Sequence, residues 1–89
     1  MTYEQAVETI HFIMKTELDL HTLDSFHEFA RLNEDLAVDS VMILQILLEL
    51  EMEYGIDIPD EKLERSIFHS VESLARFIEA QEELKPTYD

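Results

Sequence analysis

One hydroxyl stands out for its setting. Ser40 follows Asp39 and opens the most apolar run of the chain, Val41 to Leu50, interrupted only by Gln45 and Glu49. If that run is a helix, Ser40 lies where backbone N–H groups have no partner and the helix dipole is positive. A phosphate ester on its oxygen would sit where anions are favoured. The plainer reading of an Asp-Ser pair at a helix start is N-capping alone. A hydrolase nucleophile is poorly supported, because no His–acid pair accompanies Ser40 and no strand–elbow–helix context surrounds it.

Metal chemistry finds little to work with. His11, His21, His27 and His69 are scattered, with no pair four residues apart. His27-Glu28-Phe29-Ala30-Arg31 begins like a zinc-protease motif but has Arg31 where the second His must stand. Asp57-Ile58-Pro59-Asp60-Glu61 lacks the alternating oxygens and turn Gly of an EF-hand loop. There is no Cys, which excludes disulfides, thiolate metal sites and a cysteine nucleophile. No metal site is expected.

Charge narrows the partners. The 89 residues carry 6 Lys+Arg against 21 Asp+Glu, a formal charge of −15. Such a field repels phosphate backbones and anionic lipid, so neither nucleic acid nor membrane is an expected partner. Basic protein surfaces and metal cations are the natural counterparts. The Val41–Leu50 run is too short to span a bilayer, and Glu4 and Glu8 stand where a secretion signal would be basic. The expectation is a soluble, cytoplasmic, monomeric protein.

The elements that must position Ser40 read as helices. With 46% hydrophobic residues, one Gly and two Pro, the chain argues against disorder and against a turn-rich β fold. Thr2-Tyr3-Glu4-Gln5 reads as a capping box. Behind it Tyr3, Val7, Ile10 and Met14 mark one helical face, with Ala6 and Ile13 beside them, to about Leu18. A long connection from Asp19 to Asp39 follows, in which Ser25-Phe26-His27-Glu28 is a second capping-box pattern that predicts a short helical turn. The second helix runs from Asp39-Ser40 to Gly55, the only Gly, a residue suited to leaving a helix at positive φ. Pro59-Asp60 opens a short third helix to about Ser66. Ser70 caps a fourth, with Val71, Leu74, Ala75 and Ile78 inward. The sum is an all-α four-helix bundle, one domain over residues 1–89, ordered from about 2 to 83 with a frayed tail.

The second helix has more apolar surface than a small bundle needs. At about 100° per residue, Ile43, Ile46, Leu47, Leu50 and Tyr54 form the core stripe. Val41, Leu44, Leu48 and Met52 form another, nearly opposite. Either the long connection or the third helix covers that second stripe, or it is a docking face rimmed by Asp39, Glu49, Glu51 and Glu53.

At this point the chain resembles the acyl carrier protein family, which includes peptidyl and aryl carriers. The resemblance rests on Glu34-Asp35-Leu36-Ala37-Val38-Asp39-Ser40-Val41, then Glu51-Met52-Glu53-Tyr54, then Ile56-Asp57-Ile58-Pro59-Asp60-Glu61. In that family an Asp-Ser-Leu motif opens the second helix and an Ile-x-Ile-Pro-Asp-Glu-like segment follows at this same spacing. The resemblance implies 4′-phosphopantetheine attached to Ser40 by a phosphopantetheinyl transferase, with an acyl group held on its thiol as a thioester. Asp39 would help cap the helix and contact the transferase. Val41, Met42, Leu44, Gln45, Leu48 and Glu51 would make the face that partner enzymes read. A protein of this kind catalyses nothing; it is a substrate of its partners.

Three departures colour that implication. Val41 replaces the usual Leu, Met42 and Gln45 stand where fatty-acid carriers often have acids, and Lys62 to His69 forms a small insertion. A narrower resemblance, carried by Arg31 to Leu36, Asp39 to Gln45 and Glu51-Met52, is to stand-alone aryl carriers of petrobactin-type siderophore assembly. It implies a 3,4-dihydroxybenzoyl-type cargo, an adenylating loading enzyme and a condensing or acyl-transfer enzyme. Catechol hydroxyls left unpaired in a core would cost roughly 1–3 kcal/mol each, so the loaded arm is expected largely outside the bundle. A general acyl or D-alanyl carrier is the alternative. From another class, a small acidic helical adaptor without a prosthetic group would share the charge and the apolar stripe.

Overall fold

The structure is a computed structural model that describes residues 1–59, 61 and 63–81. Among them the chain forms three α-helices and no strand: α1 (Tyr3–Thr16), α2 (Ser40–Glu53) and α3 (Val71–Ala80), with 3-10 turns at Leu23–Ser25 and Arg65–Phe68.

Local chemistry sets the helix starts. The Thr2 hydroxyl accepts from the Gln5 N–H at 3.1 Å, and the Gln5 side-chain oxygen accepts from the Thr2 N–H at 2.9 Å, completing the expected capping box. Ser70 and Ser73 do the same for α3, at 3.1 and 2.9 Å. The Ser73 hydroxyl also donates to the Ile67 carbonyl at 2.8 Å, which ties the second 3-10 turn to α3.

Inside, α1 packs most extensively against α3. Ala6, Ile10, Ile13 and Met14 meet Val71, Leu74, Ala75 and Ile78 in one core with Ile46, Leu47 and Leu50 of α2. Each large aliphatic side chain so buried stabilises the fold by about 1.5–3 kcal/mol. Past the end of α2, Gly55 takes φ 64. That turn lets the Ile56 N–H donate to the Leu50 carbonyl at 3.0 Å and buries Ile56 and Ile58.

Two expected elements differ from what forms. The helical turn sought at Ser25–Glu28 forms earlier, at Leu23–Ser25, and a separate tight turn follows, in which the Ala30 N–H donates to the His27 carbonyl at 3.0 Å. The Thr22 hydroxyl donates to the Leu36 carbonyl at 2.7 Å, and the Phe26 ring meets His11 edge-on at 4.7 Å. These anchors close the chain before Ser25 and leave Phe26 extended. Of the short third helix sought from Pro59 to Ser66, Glu61 is in 3-10 conformation, Leu63 and Glu64 are not helical, and a 3-10 turn follows at Arg65–Phe68, so no continuous helix spans the stretch. The turn's anchors, Ile67 and Phe68, are adjacent in sequence and both pack on the core. A tight turn buries such a neighbouring pair without needing the length of an α-helix. Asp60 and Lys62, which the expected helix included, lie outside the described residues, as does the tail from residue 82 that was expected to fray.

The left-handed Gly55 makes one prediction. A Cβ there meets the following carbonyl, so Gly55→Ala is expected to cost about 1–2 kcal/mol. Urea unfolding should show the midpoint falling with the slope unchanged.

Candidate functional site

Ser40 owes its position to an irregular segment. From Ala30 to Val38 the chain has no regular structure, yet Ala30, Leu32, Leu36 and Val38 are all buried. The Val71 N–H donates to the Ala30 carbonyl at 2.9 Å, and the Leu32 N–H donates to the His69 carbonyl at 3.1 Å. Arg31 and Ser70 thereby pair as an isolated antiparallel bridge. The segment is thus clasped to the start of α3.

Within it the chain reverses around Asp35. The Arg31 N–H donates to Asp35 Oδ2 at 2.8 Å, and the Arg31 guanidinium grips both carboxylate oxygens at 3.2 Å. Glu34 adds a contact to the same guanidinium at 3.3 Å. Ala37 then takes φ 58, an unusual conformation for a residue with a Cβ. It is held by the Val38 N–H donating to the Leu32 carbonyl at 2.8 Å and by the Asn33 side-chain amide donating to the Val38 carbonyl at 3.2 Å. The chain leaves this turn directly into Asp39.

Asp39 takes the capping role. Its carboxylate accepts from the Met42 N–H at 2.9 Å, in extended backbone, so α2 starts at the next residue. Ser40 is the first helical residue, exposed, and its hydroxyl is not drawn into the cap. Val41, Met42 and Ile43 place no acid in this first turn, unlike Glu4 in α1 and Glu72 in α3. An exposed hydroxyl at a helix N-terminus, with the capping Asp39 as its one adjacent acid, leaves Ser40 Oγ open to a phosphodiester.

The other candidate residues divide by burial. Val41, Leu44, Leu48 and Met52 are 64%, 59%, 53% and 77% exposed, so neither the connection nor the 3-10 turn covers the second stripe. Gln45 and Glu51 are exposed with them. Met42 is half-buried and packs against the core cluster, at the border between the two faces. Ile46, Leu47 and Leu50 are the buried stripe, with Ile43 and Tyr54 partly covered at its margin. Glu49, expected on the rim, is half-buried; its carboxyl is pushed up by desolvation, then by Glu17 and Glu53. Sequence reasoning missed the Arg31–Asp35 clasp and the left-handed Ala37. The four-residue spacing of Arg31 and Asp35 was the available signal.

Comparison with known proteins defines the class. The family model for the phosphopantetheine attachment site matches residues 8–78. The chain belongs to this family of phosphopantetheine-bearing acyl carrier proteins, which act as carriers rather than catalysts, and its cofactor is covalently attached 4′-phosphopantetheine. Among curated proteins it is 36% identical over 77 residues to the acyl carrier protein AsbD of Bacillus anthracis, covering 86% of this chain and 81% of that protein. It is also 48% identical over 33 residues to an acyl carrier protein of Rickettsia bellii, 37% of this chain and 38% of that one. No helix among the described residues is long and apolar enough to cross a membrane.

Two predictions arise here. Leu44→Asp should change stability by no more than about 0.5 kcal/mol, as exposed substitutions do. Leu47→Asp should cost about 4 kcal/mol or more, because an unpaired carboxylate enters the core. Unfolding followed by circular dichroism separates them; equal loss would make Leu44 a core residue. The second concerns Asp35, whose carboxyl is held below its usual range by the side-chain hydrogen bond from Arg31, then by the Arg31 N–H. A depressed folded-state pKa means stability is gained above the unfolded-state value and lost as pH falls through the folded-state one. Asp35→Asn should therefore flatten the acid limb of a stability–pH profile below about pH 4.

Proposed function

We propose that Ser40 is the attachment residue and that the protein is a stand-alone aryl carrier. The carrying observation is the division of labour at the start of α2: Asp39 caps the helix and leaves the adjacent Ser40 hydroxyl exposed. On a phosphopantetheinyl transferase, Ser40 Oγ attacks the phosphoanhydride of coenzyme A and forms a new O–P bond. Adenosine 3′,5′-bisphosphate leaves, and the hydroxyl proton passes to a base on the transferase. When bound, the arm supplies the terminal thiol that holds an acyl group as a thioester, which a chain without Cys cannot supply itself. Asp39 keeps the first turn ordered and presents a charge beside the modified oxygen.

Val41, Leu44 and Leu48 offer apolar contact to partner enzymes, with Met42 and Gln45 at the edges and Glu51 adding charge. Those partners are the transferase, an adenylating loading enzyme and a condensing or acyl-transfer enzyme. The chain acts in this reading as one cytoplasmic, monomeric domain over residues 1–89. The 3-10 turn Arg65–Phe68 stands in for the short third helix of a four-helix bundle. The aryl, siderophore-type cargo is supported by the Arg31–Gln45 resemblance and by the kinship with AsbD. A general acyl cargo is favoured instead by the Rickettsia match, whose protein bears only the broader description.

The test is direct. With coenzyme A and a broad-specificity transferase, the intact mass should rise by one phosphopantetheine. Ser40→Ala should abolish the rise and leave the circular dichroism unchanged, since Asp39 still caps. The holo protein, given an aryl-acid ligase, ATP and 3,4-dihydroxybenzoate, should load well and accept fatty acyl groups poorly. No mass rise with several transferases would sink the carrier reading; preferential fatty acylation would sink only the aryl one.

A further inference from the structure

The chain has no Cys and no Trp, so its four methionines are the side chains that peroxide oxidises most readily. Their settings differ sharply. Met14 is fully buried in the core. Met42 packs against the core cluster and is half-buried. Met1 is half-buried too, and its Sδ accepts from the Thr9 hydroxyl at 3.7 Å. Met52 alone is exposed, at 77% the most open large apolar side chain among the described residues.

Position gives that exposure a consequence. Met52 lies one helical turn beyond Leu48 on the outer stripe of α2, and Leu48 lies one turn beyond Leu44. All three are more than half exposed. A thioether there is flexible and apolar, suited to packing on a partner's surface. A sulfoxide has nearly the same size but carries a strong hydrogen-bond acceptor, which must lose water to enter a dry contact. One oxygen atom thus changes what the stripe can meet without touching the core.

We infer that Met52 is a redox modification site, at which hydrogen peroxide turns the far end of the α2 face from apolar to polar and weakens partner engagement. The inference rests on the reading of that face as the partner surface and adds a chemical control to it. A lone pair on the Met52 sulfur attacks one peroxide oxygen; the S–O bond forms and the O–O bond breaks. The hydroxide that leaves takes the proton of the transferred oxygen and departs as water. Sulfur is oxidised by two electrons and the peroxide is reduced by two. Hydrogen peroxide is uncharged, so Glu51, Glu53 and the formal charge of −15 do not hold it off. The change is reversible, because methionine sulfoxide reductases restore the thioether, one enzyme for each sulfoxide epimer. A thiol on the Ser40 arm is shielded from the same oxidant while it is held as a thioester, which leaves Met52 as the exposed target in the loaded protein.

The experiment treats the apo protein with dilute hydrogen peroxide, quenches it with catalase and maps the oxygen by peptide mass spectrometry. The first oxygen should appear on Met52, and Met14 should stay unmodified while the protein is folded. Thermal unfolding should not change with that single oxygen, since Met52 is no part of the core. Transferase and coenzyme A then attach the arm to reduced and oxidised protein, and an aryl-acid ligase loads 3,4-dihydroxybenzoate. Oxidation should raise the ligase's KM for the carrier about tenfold with kcat little changed, the effect of one unpartnered polar group in an interface. Met52→Gln should raise KM similarly without peroxide, and Met52→Leu should make KM insensitive to peroxide. A first oxygen on Met1 or Met42 would overturn the site, and an unchanged KM in the Met52-oxidised protein would overturn its effect. If the unoxidised holo protein does not load, the aryl reading has failed instead, and octanoate with a fatty-acyl ligase serves for the same KM comparison. A missing mass rise in the unoxidised protein would remove the partner-face reading and with it the effect, while the oxygen map still decides the site.

Discussion

The burial of Leu32, Leu36 and Val38 in a segment with no regular structure is the constraint on which the site depends. Three apolar side chains reach the core from a turn only if the backbone between them reverses sharply. The reversal forces Ala37 to positive φ and leaves polar groups that need partners. Those partners are close at hand: the Leu32 carbonyl takes the Val38 N–H, and Asn33 takes the Val38 carbonyl. Ala37 in this conformation costs about 1–2 kcal/mol. Three buried aliphatic side chains outweigh that severalfold. The strain thus persists because packing over-determines it, and its product is a fixed exit direction into Asp39 and Ser40.

The same clasp couples distant parts of the chain. Ala30 and Leu32 bond to Val71 and His69, so the segment before α2 and the start of α3 move together. Ser73 extends the coupling to the Arg65–Phe68 turn through the Ile67 carbonyl. Ser40 and the Arg65–Phe68 turn are therefore tied into one hydrogen-bonded unit. In the proposed modification of Ser40, this frame would present the exposed hydroxyl to the transferase in one fixed setting.

Much of this was readable because it is local. Thr2–Gln5, Asp39 at the start of α2, Gly55 at its end and Ser70 at the start of α3 are short-range signals, and each forms as its side chain dictates. The two stripes of α2 were readable because helical periodicity alone separates Ile46 and Leu50 from Leu44 and Leu48. What remained open was whether anything covered the outer stripe, since that depends on where a connection folds in space. The displaced turns have a similar cause. Ser25 carries a capping pattern, but Thr22 is fixed by Leu36 and Phe26 by His11, contacts 14 and 15 residues apart that no window of sequence displays. The hydroxyl at the start of α2 was legible in Asp39-Ser40; the bonds from Ala30 and Leu32 to Val71 and His69 were not, because those residues meet only in the fold.

Charge along α2 runs against its own stability. Helices gain roughly 0.3–1 kcal/mol from an acid in the first turn and lose by similar amounts from acids in the last. α1 and α3 follow that preference with Glu4 and Glu72. α2 has its acid at the cap, Asp39, and then places Glu49, Glu51 and Glu53 towards its end, where acids are unfavourable. Desolvation and the nearby Glu17 and Glu53 push the Glu49 carboxyl upward, and the same crowd, led again by burial, raises Tyr54. The start of the helix is served by the Asp39 carboxylate, which accepts from the Met42 N–H, so the imbalance lies at its end. In the proposed carrier role, a basic partner surface would neutralise that crowded end, and the feature that weakens the isolated helix would become favourable on engagement.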